Sequence, residues 1–431
     1  MRIHGKLLTD PDLPPEPGTL EMAPDAAGLP RISAVRFGEA ASGAGDLGGH
    51  GRLIVPAFTD AHFHAPQIDS VGCDGMGLLE WLDRVIFPAE AWWGRGYAEA
   101  GARTAAQRLL TQGTAGVAAY LSSHAGPSRD AVSLWRRRTP LRFHAGRSAM
   151  DREAPDDLTA EDREAARATP SPSPLLAPFD EPAPPDAAQA RCNVSANPRF
   201  AVSCTEELLA QIGWSVRAME ERLGRGVFVQ THLAETTPEV ERVRELFPGS
   251  PHYTGVYDAA GLLGPRTLLA HAVHLSPEEW ALIAERDAVV VHCPGANVFL
   301  RAGLFDLDAA REHGVRVGLG SDVAAGPDVA MPRVARQMIE VAKVRSMTLG
   351  RGVHVPTPAE AWRMITETNA ALLGWPDAGR LEPGCRAEAL VLRVPESWMD
   401  EHLVGRLIYN WDASLIEARV VNGEACDPAS I

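Results

Sequence analysis

Between about residue 53 and residue 378, short apolar runs alternate with longer segments in which apolar residues recur at helical spacing. The runs are rich in β-branched residues and have the length of buried strands. They predict eight strands, one beginning at Val55 and the others at 115–120, 141–144, 193–203, 227–232, 267–271, 288–292 and 315–320. The clearest helical segments are 97–112, 205–223, 238–247, 277–286 and 306–313. Eight strands alternating with helices predict an α/β fold, a (β/α)8 TIM barrel.

The two ends of the chain have a different pattern. Residues 1–54 are rich in Pro and Gly with short strand-like runs such as 31–37, and short strands return after residue 379, at 388–394 and 416–421. We therefore expect residues 1–54 and 379–431 to pair into a small β-sandwich domain beside a barrel of residues 55–378.

One interval of the barrel region, residues 168–186, is too dense in proline to form a helix. We interpret it as a surface excursion between barrel units. A lid or a subunit contact is the alternative.

The composition of the chain argues against some binding partners and cellular locations. The net charge of −15 disfavours binding to nucleic acid, which requires a basic surface. No apolar run is long enough to cross a bilayer, and the N-terminus has no apolar segment typical of a signal peptide. The six cysteines include no C-x-x-C pair, which suits a reducing compartment. We expect a cytoplasmic protein that binds neither membranes nor nucleic acid.

His62 and His64 end the first predicted strand. Side chains two residues apart in a strand point to the same face, so the two imidazoles are spaced to bind one metal ion. By themselves they could equally be two buried histidines with ordinary hydrogen-bond partners.

Later strands also end in residues that can bind a metal ion. These residues are His232, His271, His292 and Asp322. In a (β/α)8 barrel the C-terminal ends of all strands meet at one mouth, where the functional residues of such enzymes lie. Together with His62 and His64, they offer neutral nitrogens and a carboxylate to one metal ion, with a position left for water.

Glu235 follows His232 by three residues and could carry protons between water and a leaving group. Alternatively, it could simply stabilise the start of a helix. The chain has only two lysines, Lys6 and Lys343, and neither is near the fourth strand, so a carboxylated lysine bridging two metals is not expected. The zinc-deaminase fold with H-x-E and P-C-x-x-C motifs is excluded, because Cys293-Pro294 lacks that spacing.

Taken together, these residues resemble the amidohydrolase superfamily, in its mononuclear deaminase branch, over essentially the whole chain. The matching motifs are H-x-H-x-x-Q at 62–67, L-L-E-W-L at 78–82 followed by F-P-A-E at 87–90, P-R-F at 198–200, Y-T-G-V-Y-D at 253–258 and H-C-P at 292–294.

The resemblance implies roles for individual residues. One zinc ion per subunit, or Fe²⁺ in its place, would be bound by His62, His64, His232 and Asp322. His271 would hold the metal-bound water, Asp322 would accept its proton, and Glu235 would protonate the substrate and the departing amine. Substrate contacts would come from Gln67 at a polar edge, Arg199 at a carbonyl, Phe200 on the ring, and also His64 and Glu235.

The implied reaction is hydrolysis of guanine to xanthine and ammonia in purine catabolism, by an enzyme that forms a homodimer. Two alternatives remain open. A related deaminase could act on 8-oxoguanine, a pterin or a thiomethyladenosine-type nucleoside. Alternatively, the protein could be an inactive metal-binding scaffold, although a scaffold would not need Glu235 and Asp322 together.

Overall fold

The computed structural model describes residues 1–38, 46–167, 191–350 and 352–431. The proline-dense interval 168–186 lies outside these described residues. The chain begins with four strands, β1 (Arg2–Leu7), β2 (Glu16–Pro24), β3 (Pro30–Phe37) and β4 (Leu47–Pro56).

Eight parallel strands then form the centre of the molecule. They are β5 (Phe58–His64), β6 (Thr114–Leu121), β7 (Arg142–Ala149), β8 (Cys192–Pro198), β9 (Phe228–Leu233), β10 (Thr267–His271), β11 (Val289–His292) and β12 (Arg316–Leu319). They lie side by side in chain order, and each pairs in parallel with the next. Six of them are buried along their whole length, as expected for strands covered on both faces. The predicted barrel is confirmed.

Helices surround this barrel. They are α1 (Leu78–Trp81), α2 (Phe87–Trp92), α3 (Ala98–Thr111), α4 (Ala125–Arg138), α5 (Asp156–Arg167), α6 (Glu206–Leu223), α7 (Thr237–Leu246), α8 (Tyr253–Ala259), α9 (Pro277–Glu285), α10 (Pro294–Phe299), α11 (Leu307–Glu312), α12 (Met331–Leu349), α13 (Pro358–Arg363), α14 (Asn369–Leu372) and α15 (Leu403–Tyr409). The five predicted helices are present, with ends within one residue of the predicted positions. Across the described ranges, none of the helices is both long enough and apolar enough to span a membrane.

Side chains close the seam between the first and last barrel strands. The Asn369 amide donates to the backbone oxygens of Thr59, at 2.7 Å, and Leu319, at 2.8 Å. Nearer the mouth, the backbone N–H of Ser321 donates to Asp60 Oδ1 at 3.0 Å. The ends of β5 and β12 are therefore fixed relative to each other, which matters because both carry site residues.

The chain ends pair into one further sheet, completed by β13 (Ala389–Arg393), β14 (Ile416–Val421) and β15 (Glu424–Ala425). Its seven strands run in the order β15-β14-β13-β4-β1-β2-β3. Alternate residues of β13 pack in opposite directions: Val391 belongs to the sheet's own core with Ile3, whereas Leu390 packs with Leu109 of the barrel helices. This alternation is the period-two pattern of a strand with two apolar faces, and it joins the small domain to the barrel.

A buried histidine in β7 leads us to expect a loss of stability in acid. His144 stacks on Trp375, its Nε2 lies 2.8 Å from the backbone oxygen of Leu373, and burial lowers its pKa to about 3. The unfolded chain binds this proton near pH 6.5, so the contribution to stability is complete above that pH. It falls by about 1.4 kcal/mol per pH unit as the pH drops toward 3.

Urea denaturation midpoints measured between neutral pH and about pH 4 test this expectation. The decline in stability should be shallower for His144→Asn than for the unsubstituted protein. Parallel declines would show that His144 does not bind the proton on unfolding.

Candidate metal centre and active site

Four side chains converge at the mouth of the barrel, as the sequence predicted. His64 Nε2 lies 3.1 Å from His62 Nε2 and 3.1 Å from His232 Nε2. Asp322 Oδ1 lies 3.2 Å from His62 Nε2 and 3.3 Å from His64 Nε2. All four residues are buried. Their donor atoms all lie within 4.8 Å of one another, so the four side chains could hold one metal ion.

The chemistry of this donor set fits a divalent cation. A ring nitrogen carries at most one proton, so His64 Nε2 cannot donate to both neighbouring nitrogens, whereas a shared cation would satisfy all three. Burial lowers the pKa of His64 to about 4 and that of His232 well below its usual value, which keeps both neutral. Burial would raise the pKa of Asp322, but hydrogen bonds with His62 and His64 hold it well below its usual value. Neutral imidazoles with an ionised carboxylate are typical zinc ligands.

Neighbouring groups orient the imidazoles. His232 Nδ1 lies 2.6 Å from the backbone oxygen of Arg199, so Nδ1 donates and Nε2 keeps its lone pair for a metal. His271 Nδ1 lies 2.8 Å from the Asn297 side-chain oxygen. Its Nε2 faces inward, 3.5 Å from Glu235 Oε2 and 3.6 Å from Asp322 Oδ2. His271 therefore lies beside the His–Asp cluster, next to both carboxyl groups.

Glu235 reaches the site because the chain turns sharply after β9. Ala234 has a left-handed φ of 48°, and α7 begins only after its N-cap Thr236, so Glu235 is not part of the helix. Its Oε1 is buried and has no hydrogen-bond partner among the described residues. Burial raises the pKa of Glu235 well above its usual value, and the charges of Asp322 and Glu239 add to this. The side chain is thus a buried acid beside the cluster.

The cluster borders a cavity at the mouth of the barrel. The cavity is lined by His64, Gln67, Leu78, Trp81, Leu82, Arg199, Phe200, His232, Glu235, His271, Leu300, Asp322 and Ala325. Every residue to which the family resemblance gives a role is in this wall except His62. The wall combines apolar residues with convergent polar and charged groups, which suits a flat, polar-edged ring.

The fourth barrel strand ends earlier than the prediction of 193–203. It stops at Pro198, which has no N–H to continue the sheet, and residues 201–203 form a short 3-10 turn. Between them, the Arg199 N–H donates to the backbone oxygen of Ala149 at 3.0 Å, and Phe200 is extended. This loop brings both side chains to the cavity.

His292 is also at a strand end, but it does not join the centre. Its ring stacks on Phe305 at 4.5 Å, and burial lowers its pKa to about 3. The adjacent Cys293 lies near His62 and His271. Burial raises the pKa of this thiol well above its usual value.

Sequence reasoning missed Glu90, which it quoted only within the F-P-A-E motif. Glu90 in α2 is fully buried and pairs with Arg199, whose Nη1 lies 2.6 Å and 2.7 Å from its two carboxylate oxygens. It also accepts a hydrogen bond from Gln67 Nε2 at 3.1 Å. A carboxylate inside the apolar run of residues 86–93 was the available signal, since a buried charge requires a partner.

Comparisons with known proteins agree with this geometry. Residues 53–424 match the model of the amidohydrolase family. The chain is 31% identical to the guanine deaminase of Escherichia coli (strain K12), over 88% of this chain and 81% of that protein. It is 32% identical to the guanine deaminase of Dictyostelium discoideum, over 73% and 67%.

Solved structures of guanine deaminases are also similar to this chain. The guanine deaminase from C. acetobutylicum, with guanine bound in its active site, has a TM-score of 0.84 at 25% identity and covers 99% of both chains. The guanine deaminase from Bradyrhizobium japonicum has a TM-score of 0.83 at 25% identity, also over 99% of both chains. The chain belongs to the amidohydrolase family.

Proposed function

We propose that this protein hydrolyses guanine to xanthine and ammonia with the help of one bound zinc ion. The observation that carries the proposal is the juxtaposition of the buried acid Glu235 and the His–Asp cluster in the wall of one cavity. The names of its relatives, one of them a guanine deaminase with guanine in its active site, support the choice of substrate.

The metal would be held by His62, His64, His232 and Asp322. When bound there, zinc would lower the pKa of a water molecule to about 7 and so supply hydroxide at neutral pH. Ferrous iron could be bound by the same donors, and metal analysis of the protein purified from its native cells would identify the ion.

Asp322 and His271 act on the attacking water. Asp322 Oδ2 is 3.6 Å from His271 Nε2, so one water molecule can contact both. Asp322 accepts the proton of the water, and His271 orients its oxygen towards the substrate carbon. The carboxylate of Asp322 is ionised, so it has lone pairs that can accept this proton.

Glu235 acts on the substrate. In its protonated form it donates to the ring nitrogen next to the carbon that bears the amino group, which makes that carbon a better electrophile. The water oxygen then bonds to this carbon. Glu235, now ionised, takes up the proton that Asp322 accepted from the water and delivers it to the amino nitrogen. The carbon–nitrogen bond breaks as ammonia leaves, and the proton of the new hydroxyl group returns to Glu235 as the carbonyl forms.

Three further side chains would recognise the base. Arg199 donates to the purine carbonyl, Gln67 contacts a polar edge, and Phe200 packs on the ring. A guanidinium and an amide are suited to a ring edge that carries both acceptors and N–H groups. We also propose, from the family resemblance, that the protein is a cytoplasmic homodimer, and light scattering in solution would measure its mass.

Ammonia release from a panel of substrates tests the function. The panel contains guanine, 8-oxoguanine, a pterin and thiomethyladenosine, each assayed with the zinc-loaded protein. Guanine is expected to have the highest kcat/KM. A zinc-loaded preparation that does not turn over guanine would overturn the proposal, and turnover of another member would assign the substrate instead.

A further inference from the structure

We propose that Glu90 is a positioning residue that fixes Arg199 and Gln67 as one electrically neutral recognition unit. On this proposal, Glu90 makes the site prefer uncharged purine bases to anionic ones. The inference rests on the proposed function, because it takes Arg199 and Gln67 as the side chains that read the base.

The first step is the geometry around Arg199. All the hydrogen bonds that its side chain makes to described residues leave from Nη1, and both go to Glu90. Its Nε and Nη2 therefore remain available to a ligand in the cavity. The guanidinium carbon also lies 5.4 Å from the centre of the Phe87 ring, one turn before Glu90. Helix α2 thus holds the arginine both by charge and by packing.

The second step concerns Gln67, which depends on the same carboxylate. Its Nε2 donates to Glu90 Oε1 at 3.1 Å, and its Oε1 accepts from the backbone N–H of Ala324 at 3.4 Å. These two contacts determine which end of the amide faces α2. One side chain therefore sets the orientation of both groups that would read the substrate, which is the kind of pre-organisation that binding sites require.

The third step is electrostatic. Arg199 is 3% exposed and Glu90 is 0% exposed, so the two charges lie in a low-dielectric environment and compensate each other. Without Glu90, the arginine would be an uncompensated buried cation, and an anionic ligand would be the natural group to neutralise it. With Glu90, the charge of the arginine is already compensated, so an anion gains no binding advantage over a neutral base. Xanthine ionises more readily than guanine, so the same arrangement also favours release of the product.

The helix that carries Glu90 is itself anchored to the barrel. The Ser122 hydroxyl, which follows β6, donates to the backbone oxygen of Glu90 at 3.1 Å. The carboxylate is therefore positioned by the scaffold and not by the ligand, which is the property that a positioning residue needs.

Glu90→Gln tests the inference, because it removes the charge while keeping the size of the side chain. The substitution weakens the charged hydrogen bonds that orient Arg199 and Gln67, so we expect the KM for guanine to rise about tenfold. The lost hydrogen bond takes no part in the chemical step, so kcat is expected to stay within about threefold. The ratio of the xanthine inhibition constant to the guanine KM should fall about tenfold, and further as the pH rises above the pKa of xanthine.

Glu388→Gln is the matched control. Glu388 forms an equally buried pair with Arg142, with two contacts of 2.8 Å, but neither residue lines the cavity. This control should lower stability and leave both the guanine KM and the xanthine ratio unchanged. Glu90→Asp, which restores the charge, should return the xanthine ratio towards that of the unsubstituted protein. An unchanged KM and ratio in Glu90→Gln would overturn the inference.

A measurement on the unsubstituted protein keeps the inference testable even if Glu90→Gln does not fold. If only neutral xanthine binds, its inhibition constant, relative to the guanine KM, should rise about tenfold for each pH unit above the pKa of xanthine. A flat or falling ratio would overturn the inference while leaving guanine turnover intact. Absence of guanine turnover, by contrast, would overturn the proposed function.

Discussion

Replacing Glu235 with glutamine is expected to lower kcat for guanine by about a hundred- to ten-thousandfold, the usual contribution of a general acid–base group. Glutamine has nearly the same shape but cannot release a proton to a ring nitrogen. Glu235 is suited to this role because burial and the charges of Asp322 and Glu239 raise its pKa well above its usual value. Among the described residues of the cavity wall, the other carboxyl side chain is that of Asp322, which belongs to the His–Asp cluster.

The same variant should keep its metal, because Glu235 is outside the cluster of His62, His64, His232 and Asp322. Steady-state rates and metal content measured on one preparation separate the two effects. Glu279→Gln is the matched control: Glu279 is also a buried carboxylate, but it caps α9 and accepts from Thr254, away from the cavity. It should lose stability and retain kcat. A Glu235→Gln variant with kcat within tenfold of normal would contradict the proton-transfer assignment.

The fold could be read from the sequence because each barrel strand carries its own signal. Strand β10 was predicted to the residue, since the Leu-Leu-Ala run between a turn and His271 is apolar and short. Helices α7 and α9 begin at Thr-x-x-Glu and Ser-x-x-Glu capping boxes, in which local hydrogen bonds alone fix the first turn. Local signals of this kind do not depend on the rest of the fold.

The convergence of the four candidate ligands was also predictable, for a topological reason. His62, His64, His232 and Asp322 are far apart in the chain, but a parallel barrel brings all strand ends to one mouth. Recognising the barrel was therefore enough to bring these residues together. His292 shows the limit of the rule: it also ends a strand, but its ring packs against Phe305 instead of pointing to the centre.

What the sequence could not show are contacts that depend on tertiary packing. Glu90 and Arg199 are 109 residues apart, and nothing local in either segment indicates that α2 lies against the loop after β8. The early end of β8 was missed for a related reason. The apolar residues 200–202 follow Pro198, although the strand ends there.

The protein as purified with zinc is expected to hold one metal ion per chain, and His62→Ala is expected to lose it. His62 is the informative ligand to remove because its side chain does not line the cavity, so any loss of turnover reflects the metal and not a lost substrate contact. Changes in groups that merely support a ligand weaken binding by about 10- to 100-fold, and loss of a ligand should exceed that. Metal content after dialysis and zinc titration of the apoprotein measure the effect.

His292→Asn is the control for this experiment, since His292 is an equally buried histidine at the end of a barrel strand but lies outside the cluster. It should bind zinc with unchanged stoichiometry, which separates loss of a ligand from a general disturbance of the barrel mouth. Two metal ions per chain would contradict the argument from the scarcity of lysine, because a second ion would then be held without a carboxylated lysine. Full metal content in His62→Ala would show that the contacts of 3.1 Å and 3.2 Å that join His62 to His64 and Asp322 are packing contacts within the barrel and not a coordination sphere.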